Sequence, residues 1–333
     1  MAKFIQSFSI IFLGLATGYL FKRMVDRRII PIGEALAETL RAVVQKYTLL
    51  LINPIILCGA VWSLDLSDRR TLAFPLVGLF ALILGSLSGF LGSRLLALPP
   101  EKAGVYVTCS SFTNIGSIGG LILFMLVGEA GFALLPFYKL LEELWYYGVL
   151  FPLARQYGER ANPGAGASTP SGSLAGIQRV LRDPFFLIAL AGIVTGVGLN
   201  TAGVDRPEFY GTLNSFLVPA STFVLLFTIG MRIRFKVERG HWRAVALILT
   251  SKILLVPAMT LAVSALLGLG GTGGGIGLQV VLVLSSMPIG FLGLVPPTLF
   301  RLDLSFANSL WLASNSALVV IVPALSILLS AMR

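Results

Sequence analysis

The stretch SSFTNIGSIGG, residues 110–120, lies inside an otherwise apolar run and makes a poor helix. Glycine costs about 1 kcal/mol in a helix interior, and serine, threonine and asparagine side chains compete for backbone hydrogen bonds. A second stretch, SSMPIGFLGL at 285–294, echoes it. Allowing a one-residue gap, both read Ser-Ser-x-x-Ile-Gly-x-x-Gly, and Pro288 adds a further helix-breaking cost of about 3 kcal/mol. Two readings compete for such stretches. Small residues let membrane helices pack closely; alternatively, two helices break at mid-membrane to receive a ligand. Their places in the chain bear on the choice.

Of the 333 residues, 56% are hydrophobic and 12% charged. Apolar runs of about 20 residues, enough to cross a bilayer, recur along the whole chain. Lipid tolerates only helices or closed barrels, so the composition indicates an all-α polytopic membrane protein and excludes a water-soluble domain. The formal net charge of +10 would suggest a nucleic-acid partner in a soluble protein. Here Lys and Arg collect in alternate loops, as cytoplasmic loops require, and no nucleic-acid partner is expected.

Breaking the runs at charges and turn residues predicts ten spans: 4–21, 38–63, 72–97, 103–127, 130–153, 184–200, 209–231, 242–268, 276–300 and 304–330. Between the fifth and sixth lies 154–183, whose middle, NPGAGASTPSGS, reads as a flexible linker. The expected organisation is a first five-helix repeat at 1–153, the linker, and a second repeat at 184–333. Most of the 25 Lys and Arg fall on one side if both termini lie outside and the linker is cytoplasmic. Only Lys3 precedes the first span, while Lys22, Arg23, Arg27 and Arg28 follow it, the pattern of an uncleaved helix. The expected location is the cell membrane, plasma or inner.

An odd number of helices per half means that the second half enters the membrane from the opposite side, giving an inverted repeat. SSFTNIGSIGG then falls on span 4 and SSMPIGFLGL on span 9, which are corresponding helices. A second echo sets Asn53-Pro54 in span 2 against Val218-Pro219 in span 7. Two echoes in corresponding helices favour broken, crossing spans 4 and 9 over simple packing. Half-helix N-termini would then present partial positive charge to one ligand. The expected substrate-binding residues are Ser111, Thr113, Asn114, Ile115 and Gly116, with Pro288, Ile289 and Gly290 opposite. Asn53 and Pro54 either line the same cavity or mark a plain proline kink.

Lys139, Glu142 and Glu143 sit mid-span in PFYKLLEELWYY, with Lys139 three and four residues before the acids. Intramembrane ionisable groups are costly and face a cavity or a partner. They are read as an ion- or proton-coupling group or as a structural ion pair. Lys46 and Lys252, near cytoplasmic helix ends, are expected to snorkel. Cys58 and Cys109 lie in apolar runs and imply neither a disulfide nor a metal site, and no cofactor is expected. GLGGTG at 268–273 matches a nucleotide-binding pattern literally but lacks the strand and acidic partner, so it is read as a flexible loop. No catalytic constellation is present, and an enzyme is not expected.

FIQSFSIIFLGLATGYLFKR, INPIILCGAVW, SSFTNIGSIGGLILFMLVGEAGF and SSMPIGFLGLVPPTLFRLDLSFANSLWLASNSALVVIVP together resemble the auxin efflux carrier family. Its bacterial members are permeases for small carboxylates. The resemblance implies a dimer whose scaffold and transport domains draw on both repeats, with an elevator-like shift. Asn114 and Pro288 match the family's motif positions at the crossover. The related bile-acid sodium symporters hold sodium with a carboxylate and a glutamine in helix 9. Here Pro288 and Ile289 stand instead, and no acid follows until Asp303, which argues against that sodium site. The Lys139/Glu142/Glu143 group departs from the family. The expected activity is secondary transport of a small organic anion. The alternatives are a sodium-coupled bile-acid-type symporter and a transport-dead receptor of the same fold.

Overall fold

The computed structural model describes residues 2–66, 68–163, 178, 181–232 and 240–332, and no strand occurs among them. In chain order the helices are α1 (Ala2–Asp26), α2 (Glu34–Tyr47), α3 (Asn53–Trp62), α4 (Phe74–Leu95), α5 (Pro100–Ser111) and α6 (Gly120–Leu126). Then come α7 (Glu129–Tyr138), α8 (Glu142–Trp145), α9 (Phe151–Ala161), α10 (Pro184–Thr201) and α11 (Phe209–Gly230). The last six are α12 (Trp242–Thr250), α13 (Val256–Leu266), α14 (Ile276–Ser285), α15 (Val295–Leu299), α16 (Leu304–Ser316) and α17 (Leu318–Ala331).

Among the described residues, seven stretches are long and apolar enough to cross a membrane: Glu34–Trp62, Arg69–Leu95, Pro100–Leu126, Pro184–Thr201, Phe209–Gly230, Trp242–Leu266 and Leu304–Ala331. The predicted first span lies within α1. The fifth span differs from the single helix expected at 130–153. Three residues past Pro136, which offers no N–H, the chain makes a tight turn at Lys139–Leu141, closed by the Glu142 N–H on the Lys139 carbonyl at 2.9 Å. At its other end α9 runs on to Ala161, so the expected linker begins later than 154. Its residues 164–177 and 179–180 lie outside the described residues, as do Arg234, Lys236, Arg239 and Arg333.

Proline also explains three of the π turns. Thr48–Ile52, Tyr146–Leu150 and Ser251–Leu255 are followed, two residues past their ends, by Pro54, Pro152 and Pro257. A helix-interior proline donates no hydrogen bond and crowds the carbonyl four residues back. Widening the preceding turn by one residue relieves that clash. Pro219 is accommodated differently, inside the continuous α11.

Two compact units are drawn from both halves of the chain. The first comprises Met1–Ser67, Gly116–Pro136 and Asp183–Arg234. Within it α1 packs on α11 and α3 on α10, at distances only glycine permits. A Cβ on Gly18 would overlap the Phe227 carbonyl oxygen, and one on Gly196 would lie 2.6 Å from the Cys58 oxygen. Arg206 holds Glu129 bidentately, at 2.6 and 3.1 Å, and donates to the Gly59 carbonyl at 2.9 Å. The fully buried Asn214 donates to the same carboxylate at 2.8 Å.

The second unit comprises Asp68–Ile115, Phe137–Arg182 and Phe235–Arg333. Its centre is α5 packed on α4 and α9. Gly78, Gly85, Gly89 and Gly92 recur along one face of α4, which brings its backbone against Tyr138, Ser110 and Tyr106. Leu82, Phe112, Tyr146, Leu150 and Phe151 form a buried cluster there. In its most apolar window 78% of Pro100–Leu126 is buried, against 11% for Pro184–Thr201. The poorest helix former is therefore in the best-buried stretch. GLGGTG lies in a kinked connection at Leu269–Gly275, where Gly273 and Gly274 take positive φ and Arg70 packs against Gly271.

The Glu129–Arg206 pair yields a direct test of the first unit. Arg206→Met leaves a half-buried carboxylate without its partner and should cost roughly 2–4 kcal/mol. The double variant Glu129→Gln/Arg206→Met should recover part of that loss. Thermal unfolding of the purified protein in detergent measures both.

Candidate functional site

Helical hydrogen bonding in α5 ends at Ser111, and residues 112–114 are irregular before a π turn at Ile115–Gly119. Phe112 is extended, with φ −59° and ψ 124°. Helical structure in α14 likewise ends at Ser285, and residues 287–290 are irregular before a 3-10 turn at Phe291–Leu294. Both irregular segments lie in the second unit, and each supplies what the other lacks. The Asn114 N–H donates to the Pro288 carbonyl at 2.8 Å, and the Gly290 N–H to the Phe112 carbonyl at 3.4 Å. Apolar surroundings make unpaired backbone groups expensive, so this mutual pairing lets the helices stop where they do.

Gly290 has ordinary extended torsions, φ −68° and ψ 151°. Its need is for space: a Cβ there would sit 2.9 Å from the Thr113 carbonyl oxygen. From α16, Ser314 Oγ accepts the Ile289 N–H at 3.1 Å, and Asn315 Nδ2 donates to the Ile289 carbonyl at 3.1 Å. Ile289 is thus held on both sides of its backbone.

From the α8 side, the Thr113 N–H donates to the Tyr146 phenol oxygen at 3.1 Å, and that phenol donates to Glu142 Oε1 at 2.8 Å. Phe112 and Tyr146 stack at a tilt with centroids 4.2 Å apart. Lys139 Nζ lies 3.4 Å from Glu142 Oε2. On the opposite side of Thr113, Lys252 Nζ donates to its hydroxyl oxygen at 3.1 Å. The Thr113 hydroxyl in turn donates to the Ser111 carbonyl at 3.0 Å. One chain of polar contacts therefore runs Lys139, Glu142, Tyr146, Thr113, Lys252.

The structure brings Thr113 and Asn114 together with Pro288, Ile289 and Gly290, and joins Lys139 and Glu142 to them through Tyr146. Asn114, Ile115, Pro288, Ile289 and Gly290 are buried. Ser111 is buried too, with its hydroxyl donating to the Leu82 carbonyl at 2.9 Å. Glu143 is half-buried beside Glu142, and Gly116 is exposed and belongs to the first unit. Asn53 and Pro54 are also in the first unit, half-buried, where Pro54 backs onto Gly192.

Lys252 is the main correction. It was expected to snorkel, as the exposed Lys46 can, yet only 5% of it is accessible. The register carries the signal: Ala244, Ile248, Lys252 and Val256 recur every four residues and all are buried. Tyr146 and Ser314 went unnoticed because their roles depend on partners distant in sequence.

No family model matches the chain. Over 301 residues it is 23% identical to a protein of Methanothermobacter thermautotrophicus described as an uncharacterized transporter. The alignment covers 90% of this chain and 91% of that protein. This likeness and the seven long apolar helices support a multi-pass membrane transporter.

The backbone pairing predicts a steric lesion. Gly290→Ala should destabilise the protein by about 1–3 kcal/mol, because its Cβ meets a backbone oxygen that cannot swing away. An Ala at the exposed Gly116 should cost less, and the two melting curves decide it.

Proposed function

We propose that the chain is a secondary transporter of auxin efflux carrier type, moving a small organic anion, a carboxylate, by alternating access. The observation that carries this reading is the reciprocal pairing of 112–114 with 288–290 inside the best-buried part of the chain. Non-helical backbone at membrane depth is tolerated where it is enclosed by protein or lines a polar cavity. Discontinuous helices with polar termini aimed at one point are how many transporters receive anions. In this reading the ten spans form two inverted repeats, and spans 4 and 9 cross beside the substrate.

Asn114 and the N–H groups of the following turn receive the carboxylate, and Pro288 and Gly290 keep the opposing segment open. Transport follows an elevator-like shift, and export is its direction. The membrane potential acting on the anion supplies one driving force. Glu142, tied by Tyr146 to the crossover, offers a second as a proton carrier, with Glu143 as its neighbour.

Asn114→Ala tests the site. A hydrogen bond to a charged group contributes about 1.5–3 kcal/mol, so flux of labelled benzoate or indole-3-acetate into proteoliposomes should fall roughly ten- to a hundredfold. The melting temperature should stay close to that of the unchanged protein. Normal flux through the variant would remove the crossover from the mechanism.

A further inference from the structure

We infer that Lys252 is the resident cation that pairs with the substrate's carboxylate and makes the site select anions over their neutral analogues. The inference rests on the carrier reading above and adds a charge that the reading does not need. Two charged side chains are buried among the described residues, Glu142 and Lys252, each 5% accessible. Their situations differ. Glu142 has Lys139 at 3.4 Å and the Tyr146 phenol at 2.8 Å. Lys252 has the neutral Thr113 hydroxyl at 3.1 Å, and no described carboxylate lies within 4.0 Å of its Nζ. Burial disfavours an ammonium whose only acceptor is neutral, and a carboxylate bound beside it would favour the charged form.

The geometry directs that charge to one place. Thr113 is the middle residue of the irregular segment 112–114, and its carbonyl faces Gly290. Lys252 therefore delivers its charge to the point where the two segments meet. The fold fixes it there. Pro257 enforces the π turn Ser251–Leu255, and Ser251 Oγ is tied to Ser88 Oγ of α4 at 2.7 Å. Lys139 sits beside Glu142, which leaves Lys252 as the buried cation with no described carboxylate next to it. Three donors on a flexible stem suit a single anionic oxygen atom well.

The test uses the full-length protein in proteoliposomes, with benzoate as the anion and benzamide as its uncharged counterpart. The expected result is that Lys252→Gln raises half-saturation for benzoate at least tenfold, while Lys252→Arg stays within about threefold. Benzamide should not compete with benzoate in the unchanged protein, and this arm stands even if Lys252→Gln does not fold. Unaltered benzoate affinity in a folded Lys252→Gln, or benzamide competing as well as benzoate, overturns the role of Lys252 and leaves the carrier reading intact. Absence of flux for benzoate, acetate and indole-3-acetate in the unchanged protein overturns the carrier reading, and this inference with it.

Discussion

Two hydrogen bonds, Asn114 N–H to Pro288 O and Gly290 N–H to Phe112 O, set the terms for the second unit. A helix that stops in an apolar interior exposes groups which cost several kcal/mol each if unpaired. Two helices that stop side by side can satisfy one another, but only if their backbones come very close. Gly290 grants that approach, and Ser314 and Asn315 lock the far side of Ile289. The glycine face of α4 extends the same economy of space, bringing its backbone against α5 just before the interruption. Polarity at the centre of this unit is thus a consequence of packing as much as of polar side chains.

The charged residues follow from that arrangement. Glu142, Tyr146, Thr113 and Lys252 form a line that passes through the first irregular segment, with acid on one side and base on the other. Each member is placed by a helix irregularity. The turn at Lys139–Leu141 starts α8 at Glu142, and the π turns before Pro152 and Pro257 begin at Tyr146 and Ser251. Proline and glycine, which weaken helices locally, are here what aims the side chains.

Much of this was legible in the residues. The pattern shared by 110–120 and 285–294 pointed to the segments that pair, and Lys139 and Glu142 proved close enough to interact, as their spacing suggested. What escaped has physical causes. Hydropathy treats lysine near a helix end as interfacial, so Lys252 was read by depth when its register with Ala244, Ile248 and Val256 was the better guide. The apolar run at 130–153 concealed the break at Lys139–Leu141, because an i→i+3 turn leaves hydropathy unchanged. Tyr146 and Ser314 act on neighbours 33 and 25 residues away, beyond the reach of any local pattern.

An organic anion is proposed to bind where the two irregular segments meet. Electron cryomicroscopy of the protein in a lipid nanodisc with saturating benzoate tests this. Carboxylate density is expected within hydrogen-bonding distance of Asn114 and Lys252, beside Thr113 and Gly290. Well-resolved ligand density elsewhere, with this position filled by side chains alone, would contradict it.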